Sequence, residues 1–148
     1  NEITAADEMT DGALADVISE KGRYIGTGFF NSHSKIRVRI ISRNANDTFD
    51  DSFFKRRLEY AYSYRKTVMT EEDMNACRLI FGEADGFPGL TVDKFNDLLS
   101  VQILSLGIEQ RRDIILNALL DILRNGGVKI RGVYLRNELF GFRAYVGY

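Results

Sequence analysis

Residues 81–93 read Phe-Gly-Glu-Ala-Asp-Gly-Phe-Pro-Gly-Leu-Thr-Val-Asp, and they restrict the fold more than any other stretch. They hold the only proline, Pro88, and three of the thirteen glycines, Gly82, Gly86 and Gly89. An apolar run leads in (Leu79, Ile80, Phe81), and an alternating run leads out (Leu90, Val92, then Phe95). Glycine accepts positive φ, and proline fixes its own φ while pushing the preceding Phe87 into an extended shape. The pattern predicts strand, tight turn, strand. Glu83, Asp85 and Asp93 have two readings. They are solvated turn carboxylates, or they are oxygen donors for acid–base work or a divalent metal. Turns collect acidic residues for ordinary reasons, and carboxylates two apart on a turn point in different directions, so the first reading is favoured.

The chain has 148 residues, 45% hydrophobic and 28% charged, which suits one medium domain or two small ones. No run reaches the roughly 18 to 20 apolar residues of a membrane helix. Residues 1–20 are acidic and lack the apolar segment of a secretory signal. The start at Asn1 rather than methionine reads as a trimmed or processed end. A single cysteine, Cys77, excludes an internal disulfide and fits a reducing cytoplasm. One histidine and one cysteine cannot assemble a His/Cys zinc site.

The net charge of −1 conceals an asymmetry. Residues 1–20 contain Glu2, Asp7, Glu8, Asp11, Asp16 and Glu20 and no base. Residues 21–66 contain Lys21, Arg23, Lys35, Arg37, Arg39, Arg43, Lys55, Arg56, Arg57, Arg65 and Lys66, against only Asp47, Asp50, Asp51 and Glu59. Aromatics interleave there (Tyr24, Phe29, Phe30, Tyr60, Tyr62, Tyr64). A basic, aromatic middle suits a polyanion such as RNA; the alternative is a solvated face of a strand and a helix.

Residues 14–43 are β-rich: strands over 14–19 and 23–30 around a turn at 20–22, then a third. In that third strand Ile36, Val38 and Ile40 alternate with Lys35, Arg37, Arg39 and Ile41. A period of two separates an apolar face from a row of cations. Residues 44–48 read as a linker. Residues 50–69 read as an amphipathic helix, capped by Asp50 or Asp51, with Phe54, Leu58, Ala61, Arg65 and Val68 at helical spacing. Lys55, Arg56 and Arg57 in its first turns oppose the helix dipole by about a few tenths of a kcal/mol, which a partner phosphate or a surface carboxylate would offset. After a polar connection, strands are expected over 77–81, 90–95 and 98–104, with a tight hairpin at Asn96-Asp97. A helix over 108–123 ends at Asn125-Gly126-Gly127, and a strand follows over 128–135. The second half therefore reads β-β-β-α-β.

Little reactive chemistry is visible. Gly26-Thr27-Gly28 lacks the further glycine and following helix of a nucleotide loop, so it reads as strand or bulge glycines. There is no P-loop, no G-x-S-x-G and no Ser-His-Asp pattern. His33 sits in a polar turn, exposed or touching phosphate or base. Cys77 heads an apolar strand, where an inert thiol is expected.

Five segments carry a family resemblance. Residues 12–17 (Gly-x-Leu-x-Asp-Val) and 22–39 (Gly-Arg-Tyr-Ile-Gly-Thr-Gly-Phe-Phe-Asn-Ser-His-Ser-Lys-Ile-Arg-Val-Arg) resemble the PUA RNA-binding domain that opens a family of ribosomal RNA methyltransferases. Residues 53–58 (Phe-Phe-Lys-Arg-Arg-Leu) resemble its linker helix. Residues 77–93 and 132–137 resemble its central domain. The family is the S-adenosylmethionine-dependent large-subunit rRNA (cytosine-5) methyltransferase I type, and the resemblance covers about residues 11 to 138. In that family the first PUA strand precedes the stretch matched here. A catalytic domain follows it, with a glycine-bearing cofactor loop and a nucleophilic cysteine beside a proline; nothing in this chain matches either. Cys77 stands where the family usually carries an aromatic and inherits no catalytic role. Residues 139–148 do not resemble the family's continuation.

The resulting expectation is an α+β chain. It comprises a partial PUA-like β-barrel over 1–45 with its first strand missing, a linker helix over 46–69, and a small mixed sheet with one packed helix over 70–148. Its expected partner is ribosomal RNA in the cytoplasm, held by Lys35, Arg37, Arg39, Arg56, Arg57 and His33, with no membrane. No catalytic, metal or cofactor site is expected within it; S-adenosylmethionine belongs to the full-length family. The alternative is a structural module that dimerises through an open barrel edge.

Overall fold

The computed structural model describes residues 8–136 and the backbone of residues 143–146. The acidic Glu2 and Asp7, and most of residues 139–148, lie outside the described residues. The architecture is α+β, and the first three strands form an antiparallel sheet rather than a closed barrel. Strands β1 (Leu14–Ile18), β2 (Tyr24–Phe30) and β3 (Val38–Ser42) lie in the order β1-β2-β3. Gly22, with φ 75°, turns β1 into β2, and its N–H donates to the Ser19 carbonyl.

The third strand departs from the expected alternation at both ends. It starts at Val38 rather than Lys35, and Ile36 is 53% exposed. Thr27 faces Ser42 while Gly28 faces Ile40, so Ile41 is an extra residue on β3. A bulge of this kind resets the side-chain parity. It turns Ile41, which the period of two grouped with the cations, into the core. The glycines of β2 permit that approach: a Cβ on Gly26 would lie 2.7 Å from the Ser42 carbonyl oxygen. Gly26-Thr27-Gly28 is thus a strand pair packed on β3.

Helix α1 (Asp51–Val68) starts where Asp50 accepts a hydrogen bond from the Phe53 N–H at 3.0 Å. The Ser52 hydroxyl donates to the same carboxylate at 2.7 Å. The Ser52 hydroxyl and the Phe53 N–H together hold the Asp50 carboxyl below its usual range. Phe53, Phe54, Leu58, Ala61 and Tyr62 are buried, and α1 packs on β4 (Ala76–Phe81) and α3 (Arg112–Asn125).

The second sheet adds β5 (Leu90–Phe95), β6 (Leu98–Ile103), β7 (Gly132–Leu135) and β8 (Arg143–Val146), in the order β4-β5-β6-β7-β8. Only the β6–β7 pairing is parallel. Asn96, at φ 52°, makes the expected hairpin with Asp97. The helix expected over 108–123 is two: α2 (Leu106–Glu109) and then α3. The break lies at Arg111, whose φ of −111° and ψ of 11° leave the helical region. Its guanidinium donates to the Gly107 and Gly12 carbonyls at 2.9 and 3.3 Å and lies 4.7 Å from the Phe29 ring centre. A side chain tying α2 to the first sheet thus outweighs helix continuity. The strand expected over 128–135 is shorter, beginning at Gly132, and β8 extends the sheet where the sequence offered no pattern.

One continuous set of buried apolar side chains runs from Phe29 and Ile41 through Phe53, Leu58 and Leu79 to Val101, Leu119 and Leu135. The two sheets share this core. The opposite face of the second sheet leaves Phe95, Leu98 and Tyr134 about half exposed.

Candidate nucleic-acid interface

The glycine-rich turn is the hub on which cations from two other segments converge. After β4 the chain makes a short 3-10 turn, Gly82–Asp85, and Gly86 follows at φ 74°. Asp85 points back into the protein. It receives Arg65 Nη2 at 2.6 Å and Nη1 at 3.0 Å, and also the Phe81 N–H at 2.6 Å. Arg65 is 7% exposed, and its Nε donates to the Arg78 carbonyl at 3.0 Å. Arg57 donates to the Gly86 carbonyl at 3.1 Å while lying 4.3 Å from the Phe53 ring centre, and burial pushes its pKa down. Arg39, from β3, reaches Glu83 at 3.4 Å.

The three carboxylates singled out by the sequence each meet an arginine. Glu83 faces Arg39, Asp85 faces Arg65, and Asp93 accepts Arg78 at 2.7 and 3.2 Å. Each acid is tied to a different arginine, and no group of metal-ligating side chains forms among the described residues. Cys77 is half-buried, with Sγ 3.8 Å from the Met74 carbonyl oxygen, and burial pushes its thiol pKa up. A raised thiol pKa lowers the thiolate fraction.

The six residues singled out by sequence divide three ways. Arg39 and Arg57 meet at the turn, and Arg56, beside Arg57, is exposed with its guanidinium 6.0 Å from the Phe53 ring centre. Lys35 and Arg37 lie on the exposed loop entering β3, Arg37 being 5.3 Å from the Phe30 ring centre. Lys35, Arg37 and Arg56 make no ion pair within 4 Å among the described residues, although the charge of Arg56 is felt by Asp50. His33 stands apart: its side chain is 87% exposed, yet its Nδ1 lies 2.9 Å from Asp11, whose carboxyl the Ser32 N–H holds below the usual range.

Arg65 was missed as a structural anchor, although its signal was present. It falls on the apolar stripe of α1 with Phe54, Leu58 and Ala61. A charged residue at such a position requires a buried partner.

Residues 1–43 match the PUA-like domain family. A ribosomal RNA large subunit methyltransferase I from Alteromonas mediterranea is 39% identical over 112 residues, covering 76% of this chain and 28% of that protein. The protein of the same name from Klebsiella pneumoniae is 35% identical over 108 residues, covering 73% of this chain and 27% of that protein. The chain is similar to part of ribosomal RNA large subunit methyltransferase I. It spans little more than a quarter of the length of these methyltransferase I relatives. A solved chain from Streptococcus mutans, a candidate SAM-dependent methyltransferase, superposes with a TM-score of 0.79 over 96% of this chain and 36% of its own. A second, a candidate methyltransferase complexed with SAH, also has a TM-score of 0.79, over 94% and 35%. Both are 20% identical to this chain, and the likeness is one of fold.

Proposed function

We propose that this chain is the RNA-holding portion of a SAM-dependent rRNA (cytosine-5) methyltransferase. In this reading residues 1–45 form the PUA-like unit, 46–69 the linker helix and 70–148 the central unit. Ribosomal RNA is the partner, and the work is cytoplasmic. The names of the relatives and the PUA-like match support the class of substrate. The observation that carries the reading is the gathering of Arg39 and Arg57 on one turn, with Arg56 next to Arg57 on α1 and the exposed Lys35 and Arg37 on the loop that enters the strand of Arg39.

Methyl transfer to a base needs an attacking thiolate and a bound donor. In this reading the donor and the thiolate are supplied from outside the described residues. Gly26 and Gly28, the G-x-G pair, are spent on close packing against the β3 backbone, and Cys77 has a raised pKa. The role proposed for this chain is binding and positioning, and no chemical step is assigned to its own residues.

Contact between several cations and phosphates makes affinity fall linearly in log K against log salt, by about 0.7 per phosphate on a single strand. Arg37→Glu combined with Arg39→Glu is expected to weaken RNA binding more than tenfold at low salt and to flatten that slope by about one to two. Fluorescence anisotropy across a salt series measures both. An affinity indifferent to salt, or to the double reversal, counts against the reading. Self-association is the second reading, favoured by β3 being paired on one side only among the described residues. Sedimentation showing a dimer that ignores RNA would support it.

A further inference from the structure

Helix α1 presents an outward face of which the RNA reading uses only Arg56. Of its three tyrosines, Tyr62 is buried, whereas Tyr60 is 67% exposed and Tyr64 is 60% exposed. Tyr60 and Tyr64 are four residues apart, so their side chains rise from one face about 6 Å apart along the axis. Arg56 stands one turn before Tyr60 on that face, and Lys55 and Lys66 are exposed on the flank of the helix, together with the acids Glu59 and Asp51, the latter one turn before Lys55. Tyr64 also lies on the side of α1 nearest the turn. It follows Arg57 by two helical turns, and its ring centre is 5.5 Å from the guanidinium of Arg65, which holds Asp85. The surface is thus cationic, aromatic and continuous with the Arg39–Arg57 cluster.

We infer that Tyr60 and Tyr64 form a stacking platform for unpaired nucleotides, extending the cationic turn along α1. The inference rests on the RNA reading and refines it to unpaired RNA. Exposed rings offer their faces to bases of any identity, while flanking cations hold the backbone. Duplex RNA keeps its bases stacked internally and gains nothing from such rings. A protein docking on this face is disfavoured because Lys55, Lys66, Glu59 and Asp51, which flank it, are of residue types depleted at protein interfaces.

Binding is compared for an oligouridine of about 12 nucleotides and for a duplex of the same length. Tyr60→Ala plus Tyr64→Ala is expected to weaken oligouridine binding by about tenfold or more. Duplex affinity and the oligouridine salt slope should stay unchanged, because no phosphate contact is lost. Tyr60→Phe plus Tyr64→Phe keeps the rings and should bind oligouridine as the parent does. Both positions are exposed, so melting curves should coincide with the parent's. Equal oligouridine binding by the parent and the alanine variant overturns the platform while leaving the RNA reading intact. A parent that binds neither probe overturns both.

Discussion

Replacing Asp85 by alanine should lower the thermal midpoint by about 10 °C. The substitution leaves the Arg65 guanidinium, 7% exposed, without its carboxylate, and the Phe81 N–H without its acceptor. Removing one member of a buried ion pair costs about 3 to 5 kcal/mol, because an uncompensated charge stays in a poorly solvated place. For a domain near 150 residues each kcal/mol moves the midpoint by about 2 to 4 °C. The pair itself is worth far less than its breakage suggests, since its formation already offsets two desolvation costs. Arg65→Met combined with Asp85→Leu should therefore recover much of the loss. Differential scanning calorimetry of the parent, single and double variants measures this. A single variant that melts with the parent would show that the turn is not held from α1.

The second large effect is expected at Gly28. A Cβ built there falls inside the contact surface of the Arg39 carbonyl and crowds the Ile40 Cα, which are backbone atoms of β3. Overpacking usually costs about 1 to 3 kcal/mol because neighbouring side chains can shift. Backbone across a strand pair has no rotamer to change, so Gly28→Ala should cost at least about 3 kcal/mol. It should also separate β2 from β3 at the bulge and carry Arg39 away from Glu83. Gly22 is the control: nothing lies within 4 Å of its Cβ position, but its φ is +75°. Gly22→Ala should cost only the left-handed penalty, about 1 kcal/mol. Urea unfolding of the two variants separates crowding from backbone strain. Equal losses would contradict the close packing of β2 on β3.

Much of the architecture was legible because its signals are local. Asp50 capping α1, the Asn96-Asp97 hairpin and the apolar stripe of α3 each depend on residues within a few positions of one another. The misreadings arose where distant parts of the chain intervene. Arg111 breaks the expected helix because it bonds to Gly12, ninety-nine positions away. The Ile41 bulge is set by the approach of two β2 glycines, which no alternation within β3 reveals. Strand β8 has no pattern of its own and pairs along an edge that β7 supplies. The cations were legible as a composition and not as a place. Sequence grouped Lys35, Arg37 and Arg39 on one strand face, whereas the fold carries Arg39 to the turn and leaves the other two on a loop. It also could not pair Glu83, Asp85 and Asp93 with their separate arginines, which come from three different segments.

The most direct test of an RNA-holding surface is to map where RNA touches the chain. Amide chemical shifts recorded during titration with single-stranded RNA should move over residues 35–39, 55–57 and 82–86, which hold the exposed loop, the start of α1 and the turn. They should stay still along the solvent side of α3. Shifts concentrated on α3, or none at RNA concentrations that saturate a basic surface, would contradict it.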